Sequence, residues 1–163
     1  MFYGNILTKN SNKIKNRFYI RMFFKFATLF SYFHLVHSTY VYNYYELAVQ
    51  KWCSSDYMIH GLWPQINSTS YPENCEKVSY VTPIGDLSDN MNMYWHSCDT
   101  TLWEHEWDKH GSCMKTQINI DETTYFNTTL NLFLENQNLL SKCTNDDCIM
   151  GCFDLDYKLI NCP

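Results

Sequence analysis

Residues 103–113 read Trp-Glu-His-Glu-Trp-Asp-Lys-His-Gly-Ser-Cys, and within them His105, Glu106, Lys109 and His110 bring two imidazoles, a carboxyl and an ammonium into one short segment. An imidazole moves protons in either direction near its ordinary pKa of about 6.5. At about 100° per helical residue, His105, Lys109, Glu106 and His110 follow one another across an arc of roughly 140°. Glu106 and His110 then stand four residues apart and can touch. Three readings compete. The plainest is a solvated polar face, with Trp103 and Trp107 in the core. A zinc helix needs His-Glu-x-x-His, but here three residues separate Glu106 from His110, so no metal is expected. The third is acid–base chemistry on a phosphodiester. A second segment, residues 59–64 (IHGLWP), carries His60. A histidine on an apolar strand is more often structural, so His60 alone is weak evidence.

These groups need elements to hold them. Residues 42–52 (YNYYELAVQKW) read as a strand and residues 57–62 (YMIHGL) as another, with Gly61 and Pro64 bracketing a bend at Trp63. Residues 65–83 look like loop. Residues 86–96 suit a helix with Leu87, Met91 and Tyr94 or Trp95 inward. Thr101 followed by Glu104 is a capping-box pattern, and Gly111 is a natural stop, which predicts a short helix over 102–110. Residues 121–140 form a further helical candidate with Phe126, Leu130, Phe133 and Leu134 inward, and residues 143–163 read as two short strands around a turn.

A chain of 163 residues suits one domain, and eight cysteines suggest disulfides in an oxidising compartment. Residues 1–25 hold six of the 12 Lys and Arg and no acid, an apolar stretch follows over 23–36, and Ser38-Thr39 is small and polar. That order predicts a secretory signal over 1–38, with a possible extension before Met22, and a mature domain over 39–163. The mature part keeps six Lys and Arg against all 17 Asp and Glu, a net charge of −11. Such a charge argues against tight grip on nucleic acid but not against turnover. Asn67 and Asn127 head sequons and become glycosylation candidates on a secreted chain. Trp52, Tyr57 and Trp63 are able to stack on unpaired bases, although the core is the preferred place for all three.

Together, IHGLWP and WEHEWDKHGSC resemble the signature pair of the ribonuclease T2 family, the acid ribonucleases of secretory and lysosomal compartments. Residues 44–52 (YYELAVQKW) are similar to that family's first core strand, residues 71–75 (YPENC) to its Tyr-Pro-x-x-Cys segment, and residues 159–163 (LINCP) to a late strand. The resemblance implies an α+β fold, a central antiparallel sheet with helices packed against it. It implies an endoribonuclease that cleaves single-stranded RNA to a 2′,3′-cyclic phosphate and hydrolyses that to a 3′-phosphate. His110 would be the base and His60 the acid, Glu106 and Lys109 would support the transition state, and His105 would hold the phosphate. Gln50 and Trp63 are the weaker base-binding candidates. No cofactor or metal is implied, no membrane contact of the mature form, and a monomer is the expectation. A secreted, non-catalytic relative that binds or signals is the alternative.

By the same resemblance Cys75 pairs with Cys113, Cys53 with Cys98, and Cys143 with Cys162, leaving Cys148 and Cys152 bonded to each other or free. The chain departs from the family in a short loop over 52–57, in a missing helical stretch between Lys115 and Cys143, and in ending at Pro163 before the family's usual final strand. The basic-then-apolar leader carries its own prediction. Secreted protein should start near Thr39, as read by N-terminal sequencing, and a cytosolic product retaining residues 1–38 would contradict it.

Overall fold

The computed structural model describes residues 41–163, so the expected leader over 1–38 lies outside the described residues. Four strands form one antiparallel sheet in the order β2-β1-β3-β4: β1 Tyr44–Gln50, β2 Met58–Gln65, β3 Asp147–Phe153 and β4 Leu159–Ile160. Helices α1 (Gly85–Tyr94), α2 (Leu102–Glu106), α3 (Ser112–Ile118) and α4 (Glu122–Glu135) lie between β2 and β3, with a π-helical turn (Trp107–Gly111) joining α2 to α3 and a 3₁₀ turn (Gln137–Lys142) following α4. This is the expected α+β architecture. Opposed pairs Leu47–Leu62 and Val49–Ile59 share one sheet face, and Glu46–Trp63 and Ala48–Gly61 share the other. The first face joins Trp95, Tyr125, Phe126 and Phe133 in the core.

The bend expected at Trp63 is absent, and β2 runs on through Pro64 to Gln65. Pro64 is tolerated because β2 is an edge strand. Its outward groups are covered by side chains: the His60 carbonyl accepts from Trp95 Nε1 at 2.8 Å, and the Leu62 amide and carbonyl both meet the Tyr125 hydroxyl. Pro64, next in that outward series, has no N–H to leave bare. The strand's irregularity lies one turn of the pleat earlier. Ala48 opposes Gly61 while Val49 opposes Ile59, so His60 is the extra residue of a β-bulge.

The capping box is not formed. Thr101 gives its hydroxyl to Asp99 Oδ1 at 2.7 Å, and no side chain caps α2. Gly111 is not a stop either, because the helix continues to Ile118 and ends where Asn119 turns left-handed at φ 56°. Gly111 serves the π turn instead, since a Cβ there would land on the Trp107 ring. α4 is capped by Asp121, whose Oδ1 accepts from the Thr124 amide at 2.7 Å. Phe126, Leu130 and Phe133 are buried as expected, but Leu134 is 39% exposed. The buried arc also takes in Tyr125, Thr129 and Leu132, which centres it away from Leu134. Trp52 is 55% exposed, against its expected place in the core.

Disulfides join Cys53 to Cys98, Cys75 to Cys113, Cys143 to Cys148 and Cys152 to Cys162. The expected Cys143–Cys162 bond is thus corrected. Cys152 opposes Ile160 across the β3–β4 ladder, which brings Cys162 to it, and Cys143 meets Cys148 across the tight turn before β3. The Cys75–Cys113 bond closes a loop of 38 residues, worth about 4 kcal/mol in the chain-entropy description.

Helix propensity alone says that Gly111→Ala should stabilise by about 1 kcal/mol. The Trp107 ring reverses that sign, and the variant should lose about 1–3 kcal/mol in urea unfolding. A stabilised variant would show that the ring yields freely.

Candidate active site

The bulge at His60 and the gap at Gly61 are what bring strand and helix together. Gly61 faces the composite helix, and a Cβ on it would overlap the Glu106 carboxylate. Glu106 is 1% exposed and reaches across this gap. Its Oε2 accepts from Trp63 Nε1 at 2.8 Å, and its Oε1 lies 3.7 Å from His60 Nε2. The Trp63 indole then stacks on His110, with ring centroids 5.3 Å apart and planes 26° apart. Glu106 and His110 do not bond to each other as their helical spacing suggested. The π turn, in which the Ser112 amide reaches the Trp107 carbonyl five residues back, changes their angular relation, and Trp63 fits against both.

His110 faces a cavity of about 300 Å³ lined by Glu46, Trp63, Gln65, Tyr71, Lys109 and the Ser68–Thr69 turn. Lys109 Nζ sits 3.6 Å from Glu73 and 5.7 Å from the centroid of Tyr71. The loop over 71–75 is fastened to the helix three times. Asn74 donates its amide to the Lys109 carbonyl, Cys75 donates its amide to Ser112 Oγ, and Cys75 is bonded to Cys113. Lys109 and His110 are therefore held from both sides. His105 is exposed beside the cluster and does not line the cavity. Gln50 shares the sheet face of Ala48 and Glu46, is 3% exposed, and its Nε2 has no hydrogen-bond partner. Among the described residues no three His, Cys, Asp or Glu side chains converge as a metal cage.

Burial governs the protonation states. It pushes the Glu106 carboxyl up to about 8, against the Trp63 hydrogen bond and Lys109, which favour the anion. It pushes His110 down to about 3, and the positive charges of Lys109, His105 and His60 act in the same direction. His110 Nδ1 is buried without a partner, so an imidazolium would leave one N–H unsatisfied. His60 is also lowered, first by burial and then by His105 and Lys109, with Asp147 opposing. The contact between His60 and Glu106 is thus a neutral imidazole against a protonated carboxyl at neutral pH, not an ion pair.

Of the residues singled out in the sequence, His60, Trp63, Glu106, Lys109 and His110 meet at one place, His105 stands at its edge, and Gln50 lies along the same sheet face. Sequence reasoning gave no role to Glu46, Gln65 or Tyr71, which complete the cavity wall. The alternation of β2 offered a signal, because Gln65 follows Trp63 by two residues and shares its face. Glu46 needed the β1–β2 register.

The opposed shifts shape stability. His110, lowered from 6.5 to about 3, makes the unfolded chain bind the extra proton below pH 6.5, so its contribution is lost as pH falls. Glu106, raised from 4.5 to about 8, makes the folded chain hold the extra proton above pH 4.5, so its contribution is lost as pH rises. The contributions of these two groups cancel between pH 4.5 and 6.5. Urea melts of Glu106→Gln against wild type should shift in favour of the variant by roughly 1.4 kcal/mol per pH unit between pH 4.5 and about 8. A pH-independent difference would show that Glu106 is ionised when folded.

The sequence model of the Ribonuclease T2 family matches residues 30–149. Ribonuclease 1 of Arabidopsis thaliana is 39% identical over 99 residues, which cover 56% of this chain and 42% of the relative. Ribonuclease DdI of Dictyostelium discoideum is 36% identical over 109 residues, 63% of this chain and 49% of the relative. The chain thus spans less than half the length of these curated relatives. The crystal structure of the Nicotiana alata gametophytic self-incompatibility associated SF11-RNase shares the fold with a TM-score of 0.51 at 24% identity, covering 62% of this chain and 61% of that one. With its family match over most of its length, the chain belongs to the Ribonuclease T2 family.

Proposed function

We propose that the chain is an endoribonuclease that cleaves single-stranded RNA by transphosphorylation to a 2′,3′-cyclic phosphate and then hydrolyses it to a 3′-phosphate end. The observation that carries this reading is that two histidines pack on one indole, His60 edge-on to Trp63 at 5.1 Å and His110 stacked on it at 5.3 Å between ring centroids, with His110 and Trp63 lining the cavity. His110, neutral across the acid range, takes the 2′-hydroxyl proton. The freed 2′-oxygen attacks phosphorus, the bond to the 5′-oxygen breaks, and that oxygen needs a proton. A lowered His60 alone is a poor reservoir. Glu106 Oε1, 3.7 Å away and protonated up to about 8, supplies one, so the acid is the His60–Glu106 pair. Lys109 stabilises the phosphorane and His105 attracts the phosphate from the rim. In the second step the pair takes a proton from water and His110 returns one to the 2′-oxygen.

Trp63, which lines the cavity, is the base contact, while Gln50, the other candidate, is 3% exposed and lies outside the cavity lining. The protein works as a monomer in a secreted or lysosomal setting. Four disulfides support that setting, and no described helix is long and apolar enough to cross a membrane. Asn67 and Asn127 are both exposed and are the glycan candidates there.

His60→Ala and His110→Ala should each lower cleavage of UpA by about 10²–10⁴-fold with circular dichroism unchanged. His105→Ala should be milder, exposed His96→Ala nearly silent, and EDTA without effect. The pH profile of kcat/KM should be a bell with its maximum at mildly acid pH, falling toward 3 as His110 protonates and toward 8 as the pair loses its proton. Full activity in either folded histidine variant would reject the mechanism.

A further inference from the structure

We propose that Glu46 selects guanine as the base on the 5′ side of the cleaved bond. The inference rests on the ribonuclease reading: His110 takes the 2′-hydroxyl proton and lines the cavity, so the nucleoside bearing that hydroxyl occupies it. Glu46 lies on β1 directly opposite Trp63, and its carboxyl forms part of the cavity wall. Its Oε2 accepts from Gln65 Nε2 at 3.0 Å, and its Oε1 accepts the long contact from the Tyr44 hydroxyl at 3.5 Å. The amide of Gln65 must point its nitrogen at the carboxylate, since the reverse orientation sets oxygen against oxygen. One of the two N–H groups on Gln65 Nε2 is committed to that bond, and the Glu46 carboxylate keeps free lone pairs as acceptors on the cavity wall.

A carboxylate with free lone pairs suits a base edge made of donors. Guanine offers its N1–H and N2 amine side by side, which a carboxylate binds in a bidentate manner. Adenine sets an acceptor nitrogen beside its amine, cytosine does the same, and uracil flanks its one N–H with two carbonyls. Each of these puts a lone pair against Glu46 or leaves it half used, so the carboxylate gains at most one hydrogen bond from the base. Trp63 and Tyr71 supply apolar and aromatic surface for any base, so stacking contributes affinity without choice. Lys109 and His110, at the cavity's phosphate end, likewise do not distinguish bases.

The test uses the full chain in two ways at pH 7. Calorimetric titration with guanosine 3′-monophosphate and adenosine 3′-monophosphate reads binding without turnover, and cleavage of GpU, ApU, CpU and UpU reads the choice during reaction. Wild type should favour guanine by about tenfold or more in both, the scale of one bidentate base contact. Glu46→Gln, which keeps the shape and introduces an amide donor, should bring the guanine-to-adenine ratio near one. Equal binding of the two nucleotides by wild type, or a ratio unmoved in a folded Glu46→Gln, overturns the proposal. If wild type cleaves none of the four dinucleotides the ribonuclease reading fails, and the wild-type binding ratio still decides the role of Glu46.

Discussion

The hydrogen bond from Trp63 Nε1 to Glu106 Oε2, made across the missing side chain of Gly61, is the contact on which the site depends. It couples an edge strand to a helix at a point where neither element could come closer with a larger residue. Because Glu106 is buried, the bond is short and protected from water, and its loss would leave a buried carboxyl without its donor. The same indole lies on His110, so one side chain fixes the carboxyl and the second imidazole together. Any shift of β2 against the helix moves His60, Glu106, Trp63 and His110 at once.

Two departures from ideal geometry make that contact possible. The bulge gives His60 an extra position in β2, which increases local twist and re-aims its side chain. The π turn widens the helix over Trp107–Gly111 and lets Trp107 pack over Gly111 while His110 faces the cavity. Both deviations are local, and each is held in place by neighbours: Trp95 bonds the His60 carbonyl, and the Cys75–Cys113 bond clamps the helix just beyond the turn.

Burial gives the site its acid character without any added charge. A desolvated imidazole loses its proton readily and a desolvated carboxyl keeps it, so the same apolar surroundings prepare a base and a proton donor side by side. Lys109, 3.6 Å from Glu73, places an ammonium on the cavity wall in a chain whose overall balance is acidic.

The reading of the sequence reached the α+β class, both strands of the site, the histidines and the carboxyl, because these are carried by residue type, by alternation and by two short specific strings. It did not reach the bulge, the π turn or the course of β2 through Pro64. Those depend on which backbone groups find partners elsewhere: on Trp95 and Tyr125 covering the edge, and on the Trp107 ring meeting Gly111. Gly111 read locally as a stop and Thr101 as a cap, since local rules do not know that a distant ring needs the space or that Asp99 claims the hydroxyl. The pairing of Cys143 with Cys148 and of Cys152 with Cys162 followed from where β3 and β4 meet, which spacing along the chain does not fix. By itself the sequence determined which chemical groups are present. The tertiary structure decided their protonation and which of them touch, because desolvation and contact arise only when residues far apart in the chain are brought together.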